Sequence, residues 1–327
     1  MPNMSPRPNF VGSGSTELNS IMVNVDSSDD NDKKSKPRKN KRNSPSPVLF
    51  STTPSFFSSF SKRLPMLFIS VFLIFSIYKT YEWGIQRVGE PTIIVITPTH
   101  KRAARLADMT RLSQTLMHVK NIHWIVIEDG NHTVDAVERI LKRSGIPYVY
   151  FFTTTKPGFP KRGWTHRNMG LEYVRKYYKN YKRGGVVYFA DDDNSYDIRL
   201  FDNYIRKVKG IGIWAVGLAG AAAVEAPHVE NGVITKWDVV YAPGRKFAVD
   251  MAGFAVNLDL ILNSTAAFNR NCTRGAPESC FLSQFGLQRK EATPFGWNDY
   301  PKDVLVWHTK TSHLGQKGGH HNYTVEM

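Results

Sequence analysis

The stretch Gly185-Val-Val-Tyr-Phe-Ala-Asp-Asp-Asp-Asn194 decides the fold of this chain. Its apolar run, Val186–Ala190, has the length of a buried strand and is followed at once by three carboxylates. In an open α/β sheet, ligands bind in the crevice at the carboxyl ends of the strands. Adjacent acids repel one another, and their hard oxygen atoms suit Mg²⁺ or Mn²⁺. The stretch therefore predicts a metal site for a phosphate-bearing substrate. The alternative is a solvated acidic turn that caps a helix over Ile198–Val208.

The residues before this stretch alternate between strand and helix patterns. Predicted strands cover Thr92–Thr97, His123–Ile127 and Tyr148–Phe152, and predicted helices cover Ala103–Val119, Val134–Lys142 and Arg167–Tyr178. This order is typical of an α/β fold with a mainly parallel sheet and helices on both faces. The absence of a Gly-x-Gly-x-x-Gly motif and of a P-loop argues against a dinucleotide or Walker-type site.

The sequence after Gly210 has a mixed pattern. It predicts a strand over Ile213–Leu218, a hairpin around Glu230-Asn-Gly-Val-Ile234, a helix over Pro277–Phe285 and a strand over Val304–Trp307. The chain therefore divides into an alternating half over 91–197 and a mixed half over 198–327.

The N-terminal region predicts a membrane anchor. Residues 1–63 hold ten Lys/Arg, seven of them between Lys33 and Arg42, in a composition typical of disorder. An uncharged run follows over Leu64–Tyr78, and Tyr81 and Trp83 extend it toward the length of a bilayer span. We expect a cytoplasmic tail over 1–63, a signal anchor over 64–83, a short stem over 84–90 and a lumenal catalytic domain over 91–327. The alternative for the apolar run is a buried core helix.

The net charge of +15 suggests a polyanionic partner such as nucleic acid, a membrane surface, or anionic sugars and phosphates. No aromatic residues interleave with the basic run, so a base-stacking surface is disfavoured. The two cysteines, Cys272 and Cys280, exclude a disulfide framework and a Cys-rich zinc site, and the sequence leaves their pairing open. Sequons at Asn131, Asn263, Asn271 and Asn322 are compatible with a lumenal position in the secretory pathway.

Charged residues from distant parts of the chain predict one nucleotide-sugar site. The acidic triplet ends one strand and Glu128-Asp129 ends another, as if all faced one crevice. Cations neutralise phosphate oxygens, and a metal stabilises a departing diphosphate. The candidate cations are Arg162, Arg167, His308 and Lys310. With a membrane anchor, this set indicates a glycosyltransferase of the secretory pathway.

Six blocks of sequence resemble, in their order along the chain, those of a known enzyme family. They are Thr97-Pro-Thr-His100, Arg111-Leu-Ser-Gln-Thr-Leu116, Trp124-Ile-Val-Ile-Glu-Asp129, Val187-Tyr-Phe-Ala-Asp-Asp-Asp-Asn194, Val249-Asp-Met-Ala-Gly-Phe-Ala-Val256 and Val304-Leu-Val-Trp-His-Thr-Lys-Thr311. In this order they resemble the animal β-1,3-glucuronosyltransferases, glycosyltransferase family 43. The resemblance implies a GT-A fold, Mn²⁺, UDP-glucuronate as donor, a galactose-terminated glycan as acceptor, and inversion at the sugar carbon. It also implies a type II Golgi membrane protein, a homodimer, and a role in building the proteoglycan linkage region or a glycoprotein or glycolipid glycan.

The resemblance implies a role for each site residue. Asp193 would be the direct metal ligand, and Asp191 and Asp192 would complete the donor–metal site, with Asp192 near the ribose. The other donor-binding residues would be His100, Asp129, Arg162, Arg167, Arg274, His308 and Lys310. The acceptor-binding residues would be Glu225, Tyr241, Arg245 and Asp250.

Glu278 is the predicted catalytic base. An inverting transfer needs a carboxylate opposite the departing UDP to take the proton of the attacking hydroxyl. The segment Arg274-Gly-Ala-Pro-Glu-Ser279 matches the family's base-bearing segment in spacing. Pro277 predicts a helix start, so the helix dipole would lower the pKa of Glu278 and keep it ionised. Without the resemblance, Glu278 would be an ordinary acid of a first helical turn.

Three residues depart from the family pattern. His100 stands where a Tyr stacks on the uracil, Tyr241 stands at a Trp position over the acceptor, and Lys310 replaces an Arg at the diphosphate. Each substitute keeps a chemical role, so we expect activity with altered donor affinity and acceptor choice. Two alternatives stay open: a related transferase that uses another UDP-sugar, and a non-catalytic membrane-anchored glycan-binding module.

Overall fold

The computed structural model describes residues 68–77, 89–161, 163–181, 184–269, 272, 276–309 and 311. Helix α1, residues 68–77, belongs to one unit, and all described residues from 89 onward belong to a second. No helix within these described ranges has both the length and the apolar character needed to cross a membrane. The predicted tail over 1–63, half of the predicted anchor over 64–83 and most of the predicted stem over 84–90 lie outside the described residues.

A seven-stranded sheet forms the centre of the second unit. In spatial order its strands are β11 (Thr293–Pro294), β6 (Ile211–Ile213), β10 (Phe254–Asn257), β4 (Gly185–Phe189), β1 (Thr92–Thr99), β2 (Ile122–Asp129) and β3 (Tyr148–Thr153). Strands β4, β1, β2 and β3 run parallel, and β10 is antiparallel to both of its neighbours. The alternating half of the sequence thus builds the parallel part of the sheet, and the mixed half adds the antiparallel strand.

Helices cover both faces of this sheet. Side chains of β1 alternate, so Ile93 and Val95 pack with helices α2 (Arg105–Leu116) and α3 (Asp135–Ser144). Ile94 and Ile96 face the opposite core, with helix α4 (Trp164–Tyr177). A Cβ at Gly170 would lie 2.7 Å from Ile96, so this glycine allows α4 to approach the sheet closely. The predicted α/β fold, with a mainly parallel sheet, helices on both faces and a mixed second half, is confirmed.

A smaller sheet lies beside the acidic triplet. Its strands are, in order, β5 (Ser195–Tyr196), β12 (Val306–Trp307), β7 (Val216–Gly217), β8 (Val224–Glu230) and β9 (Val233–Asp238). The predicted hairpin is confirmed between β8 and β9, where Asn231 and Gly232 have φ values of 52° and 78°. Pairing of β12 with β5 brings the closing strand next to the triplet, because β5 begins two residues after Asp193.

Two predicted elements are wrong. The single strand over Ile213–Leu218 is divided between two sheets, because the buried Trp214 leaves β6 and donates its indole N–H to the carbonyl of Ala252 at 2.9 Å. The helix over Ile198–Val208 is a π-helical turn, Leu200–Tyr204, followed by a 3₁₀ turn, Ile205–Lys207. The buried Arg206 binds the carbonyls of Pro91 and Lys120 there, and such tertiary contacts override helical propensity.

The mixed half also holds short helices. These are α5 (Leu258–Leu262), α6 (Pro277–Ser283) and 3₁₀ turns at Met251–Gly253 and Arg289–Glu291. The predicted helix over Pro277–Phe285 is therefore confirmed, with its end two residues earlier. Cys272 and Cys280 form a disulfide with 5.4 Å between their Cα atoms, which answers the question that the sequence left open. The bond ties the segment before α6 to the helix itself.

Candidate active site

A cleft lies at the carboxyl ends of β1, β2 and β4, and we call it the strand-end cleft. Its volume is about 810 Å³. The residues that line it include His100, Lys101, Asp129, Lys161, His166, Arg167, Asp191, Asp192 and Asp193. The structure therefore brings together, from three strands and helix α4, most of the described residues predicted to bind a donor. Their individual roles stay predictions.

The acidic triplet is fixed by cations and hydroxyls. Asp192 is buried and accepts hydrogen bonds from Thr99 Oγ1 at 2.7 Å and from Arg102 Nη1 at 2.9 Å. The same guanidinium donates to Asp108 at 2.8 Å, and Arg167 donates to Asp191. Sequence reasoning missed Arg102. The available signal was a cation three residues after the end of β1, at the edge where the acids collect.

Asp193 presents its carboxylate to the strand-end cleft. Its backbone carbonyl accepts from Arg111 Nη2 at 2.6 Å and from the Thr309 hydroxyl, whereas its carboxylate is half-buried at the cleft wall. Burial, together with the charges of Asp191 and Asp192, raises the pKa of Asp193 to about 6. A divalent cation would relieve this repulsion.

The oxygen atoms at this site fit a metal ion that also binds the substrate. In the part of the chain that the structure describes, no three His, Cys, Asp or Glu side chains converge into an all-protein metal cage. Mg²⁺-like ions are instead held by one or two carboxylates, with substrate phosphates and water at the other positions. Asp193 beside an open cleft matches that pattern, with hard oxygen ligands that suit Mn²⁺.

Asp129 is held in place at the end of β2. Its carboxylate accepts from the backbone N–H of Thr155 at 3.1 Å and from the Thr155 hydroxyl at 2.8 Å. His166 Nε2 lies 3.4 Å from the same carboxylate, and burial lowers the pKa of this histidine. One wall of the cleft therefore presents a fixed acceptor group.

Glu128 does not face the cleft, contrary to the prediction. Neighbouring residues of a strand point to opposite faces of the sheet, so Glu128 turns away from Asp129. It is only 2% exposed and binds the guanidinium of Arg105 and the hydroxyl of Tyr150. Glu128 is therefore part of a buried ion pair on the α2 side of the sheet.

A second cavity, the Glu278 pocket, adjoins the strand-end cleft. Its volume is about 310 Å³. It contains every predicted acceptor-binding residue and the predicted base: Glu225, Tyr241, Arg245, Asp250 and Glu278, with His308 beside them. Arg167 and Asp191 line both cavities, so the two meet at this ion pair.

Glu278 lies in the first turn of α6, as predicted, but its pKa moves in the other direction. Burial raises the pKa of Glu278 to about 7, and the nearby charge of Asp250 adds to the rise. Arg167 and Arg245 oppose the shift without cancelling it. The expected lowering by the helix dipole is wrong because desolvation outweighs the field of a seven-residue helix.

Asp250 and His308 form a pair at the mouth of the pocket. His308 Nδ1 lies 3.1 Å from Asp250 Oδ2, and Asp250 Oδ1 accepts from the backbone N–H of Ala252 at 3.0 Å. The hydrogen bond to Asp250 raises the pKa of His308 to about 9, with smaller contributions from Asp191 and Asp193. His308 is therefore a cation at neutral pH, next to the acidic triplet.

The far wall of the pocket combines a buried acid with an exposed ring. Burial raises the pKa of Glu225, whose side chain is packed against Gly220: a Cβ there would lie 1.9 Å from Glu225 Oε1. The Arg245 guanidinium lies 5.0 Å from the centre of the Tyr241 ring and donates to the Tyr241 carbonyl at 2.8 Å. Tyr241 is half-exposed and presents an aromatic surface to the pocket.

Three of the predicted donor-binding residues, Arg162, Arg274 and Lys310, lie outside the described residues. Their neighbours Lys161, Gly163 and Thr309 are described, and the first two line the strand-end cleft. The roles of the three cations therefore remain predictions from the resemblance.

Similar proteins were found by sequence and by structure. The chain is 43% identical over 233 residues to galactosylgalactosylxylosylprotein 3-beta-glucuronosyltransferase sqv-8 of Caenorhabditis elegans. The match covers 68% of this chain. It covers 64% of the nematode protein, which is just under two thirds of its length. It is 39% identical to galactosylgalactosylxylosylprotein 3-beta-glucuronosyltransferase 2 of Homo sapiens, over 72% of this chain and 75% of the human protein. A solved structure, S. aureus TarS 1-349, is 13% identical with a TM-score of 0.42, over 66% of this chain and 60% of that one.

The family comparison agrees with the sequence relatives. The profile of glycosyltransferase family 43 matches residues 112–312. The matched range includes Asp129, the acidic triplet and Glu278, together with all residues of the Glu278 pocket. This chain belongs to glycosyltransferase family 43.

Proposed function

We propose that this chain transfers glucuronate from UDP-glucuronate to the 3-hydroxyl of a terminal galactose, with inversion at the sugar carbon. The observation that carries the proposal is the meeting of the strand-end cleft and the Glu278 pocket at the Arg167–Asp191 pair. A donor in the first cavity and an acceptor in the second would face each other there. The names of the relatives, which specify a glucuronosyl group and a galactosyl-terminated acceptor on a protein, support the choice of both substrates.

The strand-end cleft suits a UDP-sugar. Asp129 offers a fixed carboxylate to the N–H group of a uracil ring, and the His100 imidazole lines the same cleft as a stacking surface. Arg167 and the protonated His308 place positive charge near the acids, where a diphosphate and a glucuronate carboxylate would lie. Asp193 would hold Mn²⁺, which, when bound, supplies stabilisation of the negative charge on the departing diphosphate.

The Glu278 pocket suits proton removal from the acceptor. The galactose 3-oxygen forms a bond to the anomeric carbon of glucuronate while the bond from that carbon to the diphosphate oxygen breaks. The hydroxyl proton passes to the Glu278 carboxylate. A base whose pKa is about 7 is well matched to a reaction near neutral pH, because about half of it is ionised there and the ionised form still accepts a proton readily.

The remaining pocket residues would orient the galactose. The exposed ring of Tyr241 offers an apolar surface to one face of the sugar. Glu225, Arg245 and Asp250 surround the pocket with groups that hydrogen-bond to hydroxyls. Such positioning lowers the entropic barrier, because the attacking oxygen is already directed at the sugar carbon.

We propose a single-pass type II protein of the Golgi membrane, with the catalytic domain in the lumen and two copies forming a homodimer. The apolar run over Leu64–Tyr78 and the basic residues before it support the orientation, since positive charge favours the cytoplasmic side. The homodimer rests on the family resemblance.

The proposal is tested by incubating the purified chain with Mn²⁺, a galactose-terminated acceptor and each of several UDP-sugars. We expect glucuronate transfer from UDP-glucuronate and little transfer of other sugars. Transfer of a different sugar only would identify a related transferase, and binding of the acceptor with no transfer from any donor would identify a glycan-binding module. Comparison of Gal-Gal-Xyl with N-acetyllactosamine would then assign the acceptor class.

A further inference from the structure

A third cavity, which we call the basic groove, lies beside the Glu278 pocket. Its volume is about 700 Å³, and Arg245 lines both it and the pocket. Lys246, Arg289 and Lys290 also line the groove, whereas no acidic residue does. The groove is therefore a positively charged continuation of the proposed acceptor site.

Hydrogen bonds fix the segments that carry the cations of the groove. Arg289 and Lys290 belong to a 3₁₀ turn that is fixed by a capping box, in which the backbone N–H of Gln288 donates to Glu291 Oε2 at 2.7 Å. Arg245 is anchored by its hydrogen bonds to the carbonyls of Tyr241 and Ala242. The backbone positions from which these charged side chains extend are thus set by the fold.

These four cations form no close ion pair within the described part of the chain, although the charge of Arg245 opposes the raised pKa values of Glu225 and Glu278 in the adjoining pocket. Among the described residues, none of Arg245, Lys246, Arg289 and Lys290 forms a salt bridge, and the carboxylate of Glu291 caps its own turn. Like charges gathered in a groove repel one another and create a positive potential that attracts anions. Neutral sugars would gain little from such a potential, so the groove suits an anionic ligand.

The chemistry of the acceptor indicates which of its components carries negative charge. The relatives are named for an acceptor that consists of galactosyl and xylosyl groups on a protein. The named sugars are uncharged, and the protein is the component that can supply carboxylates. Arg side chains bind carboxylates in a bidentate manner, which favours Asp and Glu side chains at this position.

We propose that the basic groove binds an acidic peptide segment of the protein that carries the acceptor glycan. This inference rests on the proposed function, because it takes the Glu278 pocket as the site of the terminal galactose. The groove would then select among glycoproteins that carry the same glycan. The selection acts mainly on acceptor KM, since the groove lies outside the reacting groups.

The test compares two acceptors that carry the same Gal-Gal-Xyl group. One peptide has several Asp and Glu residues beside the glycosylated Ser, and the other has Asn and Gln at the same positions. We expect the acidic peptide to have a KM about tenfold lower at low salt, since a few exposed charge pairs contribute this much together. The difference should shrink at high salt, because mobile ions screen exposed charges.

Charge variants assign the effect to the groove. The double substitution R289Q/K290Q should bring the ratio of the two KM values to within about twofold. The matched double substitution K207Q/K209Q removes two exposed lysines outside the groove and should leave the ratio near tenfold. Equal KM values for the two peptides in the wild-type chain, or a ratio that R289Q/K290Q does not change, would overturn the proposal.

A binding measurement separates this inference from the proposed function. Fluorescence anisotropy of the two labelled glycopeptides reports affinity without any transfer. If no sugar is transferred to either acceptor, the proposed function fails, yet tighter binding of the acidic peptide that R289Q/K290Q removes would still support the groove. Equal affinities for both peptides, combined with loss of binding to anionic lipid vesicles in R289Q/K290Q, would assign the groove to a membrane surface instead.

Discussion

Arg167 donates a hydrogen bond to Asp191, and this pair is the boundary between the strand-end cleft and the Glu278 pocket. Arg167 comes from the first turn of α4, and Asp191 follows β4. The pair is therefore held by two elements that pack in the same core. Its place between the cavities means that one side chain can act on both substrates.

Replacing Arg167 by Lys should impair transfer strongly. Lysine keeps the charge but loses the planar fork that can bind Asp191 and a phosphate together, so we expect kcat/KM to fall about 100-fold. Steady-state kinetics with UDP-glucuronate would measure this. The control is R199K, which alters an exposed Arg that pairs with Asp197 and Asp303 outside both cavities and should keep nearly full activity. Similar activity in the two variants would show that the Arg167 fork is dispensable.

Substitution of Glu278 by Gln should remove the proton acceptor. We expect kcat to fall about 100- to 10,000-fold while the acceptor still binds, because the amide keeps the shape of the carboxylate. In the wild-type chain, kcat/KM should rise with pH through about 7 and then level, since only the ionised carboxylate can take the proton. The variant E138Q, at a partly exposed carboxylate of α3, should keep this profile. A profile that does not rise near pH 7 would exclude Glu278 as the base.

The order of strands and helices could be predicted because the alternating half has strong local patterns. Runs such as Ile93–Ile96 are β-branched and fully buried, and the rule that ligands bind at strand ends placed Asp129 and Asp191–Asp193 in one cleft. The same alternation of side chains in a strand predicts that Glu128 faces away from Asp129. That alternation excludes a strand end at which both acids face the crevice.

Other features depend on tertiary contacts that no local pattern records. Arg102 joins Asp192 to Asp108, a residue 84 positions away along the chain, through two hydrogen bonds. The pKa of Glu278 is set by how deeply the carboxylate is buried, and its sequence position indicated only the helix dipole. Burial and long-range pairing are products of the complete fold, so they became visible only in the structure.

Substitution of Asp193 should change the effect of Mn²⁺ on Tm, a measurement that does not depend on catalysis. In the folded state its pKa is raised from 3.8 to about 6, so above pH 6 an ionised Asp193 destabilises the metal-free protein. The variant D193N should therefore have a higher Tm in EDTA than the wild-type chain, and Mn²⁺ should raise its Tm much less. Differential scanning fluorimetry with and without Mn²⁺ measures both effects.

The control for Asp193 is D135N, at an exposed carboxylate in the first turn of α3. This variant should keep the full increase of Tm with Mn²⁺. If D193N keeps it as well, Asp193 is not the metal ligand, and the raised pKa has no relation to a cation.

The pair of Asp250 and His308 should make stability depend on pH. The pKa of His308 is raised from 6.5 to about 9, so the stabilisation is complete below 6.5 and is lost as the pH rises through about 9. The effect should be small, because the His308 side chain is about half exposed. In D250N, NMR titration should show the pKa of His308 lowered toward its usual range. The control variant H228Q, in the β8–β9 hairpin, should leave that titration unchanged, and an unchanged titration in D250N would contradict the assigned cause.

Gly220 controls the shape of the Glu278 pocket through Glu225. Its φ is +56°, and a Cβ would lie 1.9 Å from Glu225 Oε1, so G220A must displace the carboxylate. We expect the KM for the acceptor to rise about tenfold, as for loss of one hydrogen bond to a charged group, while the affinity for UDP stays unchanged. The matched variant is G232A, which has φ +78° and no atom within 4 Å of the added Cβ. Both variants should lose about 1 kcal/mol of unfolding free energy from the left-handed backbone, but only G220A should alter acceptor KM. Equal KM values in the two variants would show that Glu225 does not contact the acceptor.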